Sequence, residues 1–128
     1  MVHLGLIALI VRDYDEAIDW YTRVIGFRLV RDENQGTKRW VVIQADGGCA
    51  LLLAQAKNER EAAAIGNQHG GRVGFFLTVN DFDAAYRRLA NCDVKFDEDA
   101  RTEAYGKVVV FRDLYGNRWD LIEPIVTL

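Results

Sequence analysis

The sequence predicts an α+β fold built from a repeated βαβββ module. The prediction rests on an internal repeat with a single offset of 68 residues and on the order of elements within each copy. In both copies an apolar strand runs into an aspartate, a helix-period segment and three strand-like segments. The length of 128 residues, half of them hydrophobic and one of them proline, suits one compact domain or two very small ones that share a core.

The repeat aligns without gaps. The segment LIVRDYDEAIDWY, beginning at Leu9, matches LTVNDFDAAYRRL, beginning at Leu77, and the same offset matches VVIQADGGCALLLAQ from Val41 with VVFRDLYGNRWDLIE from Val109. The alternative is two similar amphipathic units with coincidental matches. We predict module one over residues 1–56, a connector over 57–72 and module two over 73–128, together forming one domain spanning 1–128.

Each module is predicted to begin with an apolar strand, residues 4–11 and 73–79. The strand runs into Asp13 in the first module and its repeat mate Asp81 in the second. An aspartate at this place can cap a helix, because its carboxylate accepts hydrogen bonds from the first free N–H groups. Gly26 is placed to end the first helix.

Three short strands are predicted to follow each helix. They cover residues 27–30, 39–44 and 49–54 in module one, and 94–96, 107–112 and 117–122 in module two. The connector KNEREAAAIGNQHGGR is predicted to hold a turn or two of helix, with residues 62–65 anchored on the core, and then a glycine-rich loop.

Composition excludes several kinds of partner. The net charge of −3 comes from interleaved acids and bases, which does not favour nucleic acid binding. Cys49 and Cys92 lack metal-ligand spacing, so we expect reduced thiols in a cytoplasmic protein. The apolar start MVHLGLIALIV is too short to span a bilayer and lacks the features of a signal peptide, so no membrane association is expected.

Three features carry a resemblance to a known family: the two βαβββ units, the stretch RDYDEAIDWYTRVIGF after the first strand, and DLYGNRWDLIEP near the end. Together they resemble the vicinal oxygen chelate superfamily, which comprises glyoxalases, bleomycin-resistance proteins and extradiol dioxygenases. The resemblance implies paired curved mixed sheets around a cup-shaped pocket. It also implies that enzymatic members hold a divalent metal there, usually by His, Gln or Glu. The corresponding positions in this chain are Leu6, Leu52, Gly74 and Asp120.

Of these four positions, only Asp120 offers a donor atom, whereas a divalent cation needs several N, O or S ligands. We therefore expect no metal or other cofactor, and an apolar cup that binds an organic small molecule. The alternative is a divalent-metal-dependent lyase, isomerase or dioxygenase that uses Asp120 with His3, His69 or Glu123. A third possibility is an interaction module whose cup is filled by its own side chains. No reaction is assigned.

Strand alternation predicts which side chains line the cup. They are mostly apolar, with Thr78, Arg118 and Asp120 as polar points: Leu6, Ala8, Ile10, Ala50, Leu52, Ala54, Gly74, Phe76, Thr78, Arg118, Asp120 and Ile122. Trp40, Tyr105 and Phe111 lie on or beside the remaining strands, as aromatic walls or as ordinary core. The candidate ligand-binding residues are Asp120, Arg118, Phe76, Thr78, Trp40 and Tyr105.

Asp120 has two open interpretations. It is either a structural carboxylate, with Arg118 on the same strand face as the candidate ion-pair partner, or a polar anchor for a ligand. We also expect a homodimer, because symmetric dimers are the commonest soluble oligomers and single-domain members of the superfamily often form them.

Overall fold

The structure, a computed structural model, describes residues 1–125. Contacts divide the chain into two compact units, Met1–Ile65 (unit 1) and Gly66–Leu128 (unit 2). Each unit contains the predicted βαβββ order and one four-stranded mixed sheet. The predicted fold class is therefore confirmed.

Unit 1 carries the first module and the helical part of the connector. Its elements are β1 (Leu6–Val11), α1 (Tyr14–Trp20) with a π-helical continuation (Tyr21–Ile25), β2 (Arg28–Asn34), β3 (Arg39–Gln44), β4 (Ala50–Gln55) and α2 (Glu59–Ala64). The strand order is β1-β4-β3-β2, in which β1 runs parallel to β4 and the other neighbours are antiparallel. Residues 62–65 of the connector are half-buried or exposed, so the expected anchoring is only partial.

Unit 2 repeats this arrangement. Its elements are β5 (Val73–Thr78), α3 (Phe82–Asn91), β6 (Arg101–Glu103), β7 (Gly106–Arg112) and β8 (Arg118–Pro124). The strand order is β5-β8-β7-β6, again with the first and last strands parallel. Among the described residues, none of the helices combines the length and apolar character that crossing a bilayer requires.

The sequence repeat is reproduced in the strand register. Ala8 lies opposite Leu52 in unit 1, and their repeat mates Phe76 and Asp120 lie opposite each other in unit 2. The helix starts are repeated as well: the Asp13 carboxylate accepts a hydrogen bond from the Glu16 N–H at 2.9 Å, and the Asp81 carboxylate accepts one from the Ala84 N–H at 3.1 Å. The internal duplication is thus structural as well as sequential.

The predicted strand over residues 94–96 is wrong. Only Phe96 forms a bridge there, to Phe111, and the edge strand of unit 2 is β6 further along the chain. Asp93 has a left-handed backbone with φ of 59°, which turns the chain after α3. Two backbone hydrogen bonds flank this bridge, from the Asp97 N–H to the Val110 carbonyl oxygen at 3.0 Å and from the Arg112 N–H to the Lys95 carbonyl oxygen at 2.9 Å, and the pairing does not extend into a strand.

Both faces of each sheet carry buried residues, which on the side away from the helices include Val42, Val108, Val110 and Ile122. One face, the helix-covered face, packs against the helices: α1 contacts β4 and α3 contacts β8, and the strand residues facing them are buried. These buried residues are Leu9, Val11, Val41, Ile43 and Leu53 in unit 1, and Phe75, Val109, Phe111, Trp119 and Leu121 in unit 2. The opposite side of each sheet, the open face, carries the predicted cup-lining positions.

Candidate functional site

Asp120 lies in the middle of the open face of unit 2. It stands opposite Phe76 on β5 and Val110 on β7 in the strand register. Asp120 is 9% exposed, whereas Phe76 beside it is 60% exposed. A buried acid and a solvent-facing aromatic ring therefore share one surface, as the sequence predicted.

The carboxyl group of Asp120 is poorly compensated. Its Oδ1 atom is buried and makes no hydrogen bond to any residue within 1–125. Burial raises the pKa of this carboxyl above its usual range; Arg101 and Arg118 oppose the rise, and the negative charge of Glu98 adds to it. Asp120 can thus hold a proton more readily than an ordinary aspartate and can donate as well as accept a hydrogen bond.

Arg118 does not form the predicted ion pair with Asp120. Its Nε donates to Oδ2 of Asp97 at 3.0 Å, and its Nη1 donates to the carbonyl oxygen of Gly71 at 3.2 Å. Asp97, on the loop before β6, also accepts from Nε of Arg112 at 2.7 Å. Asp97 could not be predicted from strand alternation, because it lies outside the predicted strands.

Tyr105 is linked to the same face through a second arginine. Its hydroxyl lies 3.4 Å from Nη1 of Arg101, which also binds Glu103 at 2.8 Å and, through Nε, Glu98 at 2.9 Å. Glu98 and Arg101 both act on Asp120 through their charges, as Arg118 does. Both residues were missed from the sequence, since neither lies on a predicted strand.

Thr78, predicted to line the cup, and Phe111, considered as an aromatic wall, differ in exposure. Thr78 is exposed on β5 and pairs in register with Ile122, which is buried at 2% exposure and offers little surface to a ligand. Phe111 is excluded as an aromatic wall, because it is fully buried on the helix-covered face and stacks on Trp119 at 5.9 Å.

Unit 1 carries a cleft of about 540 Å³ with a mixed apolar and polar lining. Trp40, Leu52 and Ala54 line it, and Lys38 and Lys57 contribute charge. Of the six candidate ligand-binding residues, Trp40 is the one in unit 1. A cleft of this size and composition falls within the range of small-molecule sites.

Arg39 borders this cleft and was not predicted. Its guanidinium donates to both carboxylate oxygens of Asp32, at 2.7 and 3.1 Å, and to Asp15 at 3.0 Å. It also lies over the ring of Tyr14, 5.2 Å from the centroid. These contacts raise the pKa of the Arg39 side chain, chiefly through the hydrogen bond to Asp32, and they fix one wall of the cleft.

The family model of the Glyoxalase/Bleomycin resistance protein/Dioxygenase superfamily matches residues 3–121. The chain belongs to this superfamily. A protein of Shewanella frigidimarina, described as uncharacterized, is 47% identical over 121 residues that cover 91% of this chain and 90% of the relative.

Solved structures of the superfamily fold are similar along nearly the whole chain. The crystal structure of UcmS2 has a TM-score of 0.82 and 27% identity, covering 96% of this chain and 98% of that one. TnmS3, an antibiotic binding protein from Streptomyces sp. CB03234, has a TM-score of 0.77 and 26% identity, covering 97% of each chain.

The superfamily's metal positions are poorly matched by the side chains of this member. In the part of the chain that the structure describes, no group of three or more His, Cys, Asp or Glu residues could hold a metal ion. Glu123, one of the displaced ligands considered, caps α3 by accepting a hydrogen bond from the Phe82 N–H at 2.8 Å. The imidazole of His69 lies against Gly74, where a Cβ atom would overlap the ring. The residues present therefore do not fit a divalent metal ion.

Proposed function

We propose that this protein binds an organic small molecule on the open faces of its sheets without a catalytic metal. The observation that carries the proposal is the carboxyl of Asp120, a buried acid whose Oδ1 has no hydrogen-bond partner among the described residues and which lies beside the exposed ring of Phe76. A buried polar atom left unpaired costs about 1–3 kcal/mol. A ligand that hydrogen-bonds to Oδ1 recovers this cost and covers the exposed apolar surface beside it. The ligand-bound site is therefore favoured over the empty one.

Apolar contact supplies the affinity. Phe76 offers a flat, exposed ring next to Asp120, and Thr78 adds a hydroxyl on the same strand face. Arg118 acts on Asp120 through its charge, and Tyr105 contacts Arg101, which does the same. Trp40 and Leu52 add apolar surface to the cleft of unit 1. Aromatic rings with a few orienting polar groups are the usual make-up of sites for organic ligands.

The mechanism proposed is sequestration or carriage of the ligand. The similarity to TnmS3, named as an antibiotic binding protein, supports this class of function. The open cleft of unit 1 disfavours a face filled by its own side chains. We further propose that the protein acts as a cytoplasmic homodimer; both cysteines are free thiols, which fits a reducing compartment.

The donor chemistry supports metal-independent binding. Leu6, Leu52 and Gly74 provide no ligand atom at three of the four superfamily positions. The carboxylate of Glu123 is engaged at the start of α3, and His3 is exposed before β1. A single available carboxylate does not repay the dehydration of a divalent cation.

A ligand screen tests the proposal. Aromatic and polycyclic compounds, antibiotics among them, are titrated against the protein and followed by tryptophan fluorescence, with EDTA and then with added Mg²⁺, Mn²⁺ or Zn²⁺. We expect a hit whose binding is indifferent to metal and weakened about tenfold or more in Asp120→Asn.

Asp99→Asn is the matched control, since Asp99 is an exposed aspartate of the same unit. It should bind the hit like the unaltered protein. Binding that requires a divalent ion, or binding that Asp120→Asn and Asp99→Asn leave equally unchanged, contradicts the proposal.

A further inference from the structure

We propose that unit 2 carries a second binding site, for a small oxyanion. The site is a pocket of about 110 Å³ bordered by the loop 66–72, the end of β7 and the start of β8. Three arginines line it, Arg72, Arg112 and Arg118. The expected occupant is a phosphate, sulfate or carboxylate group, either free or as the ionised part of a larger molecule.

The charge of the pocket is unbalanced. Arg112 and Arg118 form ion pairs with one carboxylate, Asp97, and no other carboxylate among residues 1–125 pairs with the three arginines. With Asp113, whose carboxylate binds the lining residue Asn117, three guanidinium groups stand against two carboxylates, which leaves one positive charge over. A cluster of this sign attracts an anion, and the attraction is strongest where solvent access is reduced.

Asp97 holds the two inner arginines in place. One of its oxygens accepts from Nε of Arg112 and the other from Nε of Arg118, and its side chain is 13% exposed. The Nη1 groups of the same arginines donate to the carbonyl oxygens of Gly116 at 3.4 Å and Gly71 at 3.2 Å. Their Nη2 groups make no hydrogen bond to a described residue and remain available.

An arginine fixed through Nε and Nη1 loses little entropy when its remaining N–H donors meet an oxyanion. Guanidinium groups match the geometry of carboxylate and phosphate oxygens. The carboxylate of Asp113 similarly fixes Asn117, another lining residue. It accepts hydrogen bonds from the Asn117 N–H at 2.9 Å and from Nδ2 of Asn117 at 2.8 Å. The polar lining is therefore pre-organised.

Glycine geometry brings the loop to the strands. Gly66 has a left-handed backbone with φ of 75°, and a Cβ there would overlap the carbonyl oxygen of Tyr115. Gly74 leaves room for the ring of His69, which also lines the pocket and contacts Phe75 edge-on at 4.9 Å. Gly74 stands at a metal-ligand position of the superfamily. Glycine is needed there because a larger residue would overlap the ring of His69.

The pocket size selects small anions. At about 30 Å³ per water molecule, 110 Å³ holds only a few waters. Sites for drug-sized molecules are several times larger. The repeat mates of Arg112 and Arg118 in unit 1 are Gln44 and Ala50, so this cluster belongs to unit 2 alone.

Isothermal titration with inorganic phosphate, sulfate and acetate tests the inference at low ionic strength. We expect one anion per chain, with an affinity that falls as salt rises. Arg72→Gln and Arg118→Gln should each raise the dissociation constant about tenfold or more. Arg87→Gln, which removes an exposed arginine of α3 in the same unit, should leave it unchanged.

The anion series identifies the source. Preference for phosphate or sulfate indicates a tetrahedral ester group, and preference for acetate indicates a carboxylate. Failure of all three anions to bind, or an equal loss in Arg87→Gln, overturns the inference. Arg72 is exposed and has no ion-pair partner among the described residues, so its variant is expected to fold even if Arg118→Gln does not.

This test is independent of the proposed function. Arg72 was not placed among the residues that bind the organic ligand. Retained binding of a screening hit in Arg72→Gln, with lost anion binding, separates the two sites.

Discussion

Units 1 and 2 have the same topology and strand register but different open faces. On the helix-covered face the repeat keeps apolar residues, as in Leu53 with Leu121 and Val41 with Val109. On the open face, Leu52 of unit 1 corresponds to Asp120 of unit 2. At these positions the open face differs between the two modules, whereas the helix-covered face does not.

This divergence has an energetic consequence. In unit 1 the open face is apolar and partly exposed, with Leu6 at 40% exposure. Unit 2 instead buries a carboxyl whose Oδ1 has no hydrogen-bond partner among the described residues, and the arginines whose charges act on it are paired elsewhere. A group that weakens folding is retained most readily where binding uses it.

The largest expected effect concerns the loop that unit 2 has and unit 1 lacks. Gly66→Ala should lower the free energy of unfolding by about 3 kcal/mol, because the new Cβ meets the Tyr115 backbone and the left-handed φ of 75° is strained. Gly70→Ala is the control: φ is 67°, but a Cβ there meets nothing within 4 Å, so about 1 kcal/mol is expected. Urea unfolding measures both, and equal losses would show that the loop does not dock on Tyr115.

A smaller effect tests what the two units share. Asp13→Ala and Asp81→Ala each remove one helix-capping hydrogen bond, to Glu16 N–H and Ala84 N–H respectively. We expect each substitution to cost about 1 kcal/mol in thermal or urea unfolding. A cost confined to one unit would mean that the repeated caps are not energetically equivalent.

The smallest effect is in the pH dependence of stability. The pKa of Asp120 is raised by burial, so the folded state holds its proton more tightly and stability falls as pH rises above the ordinary value of 3.8. The pKa of Asp97 is lowered, mainly by its hydrogen bond from Arg112, so its contribution is lost as pH falls below the same ordinary value.

Urea unfolding across the acid range separates the two carboxyl groups. Asp120→Asn should remove the decline in the free energy of unfolding as the pH rises, and Asp97→Asn should remove the decline in the free energy of unfolding as the pH falls. The control Asp99→Asn should keep both slopes. Identical profiles for all three variants would contradict the opposite shifts.

Sequence reasoning predicted the repeat, both helix caps and the strand alternation because these depend on local period and spacing. It placed Asp120 and Phe76 on the same surface for the same reason, and the strand register then sets them opposite each other. It failed for Asp97, Glu98 and Arg101, which lie on or next to a loop without a period. Partner choice among arginines depends on distances that only the folded chain sets, so Arg118 was assigned to the wrong acid.

The stability of Asp120→Leu, measured by urea unfolding, tests the central claim most directly. The substitution gives unit 2 the residue that unit 1 carries at Leu52. If Asp120 is kept for binding, removing the carboxyl whose Oδ1 has no hydrogen-bond partner within residues 1–125 should raise the free energy of unfolding by about 1–2 kcal/mol. A loss of similar size would show that the carboxyl stabilises the fold, and the account of the open face would be wrong.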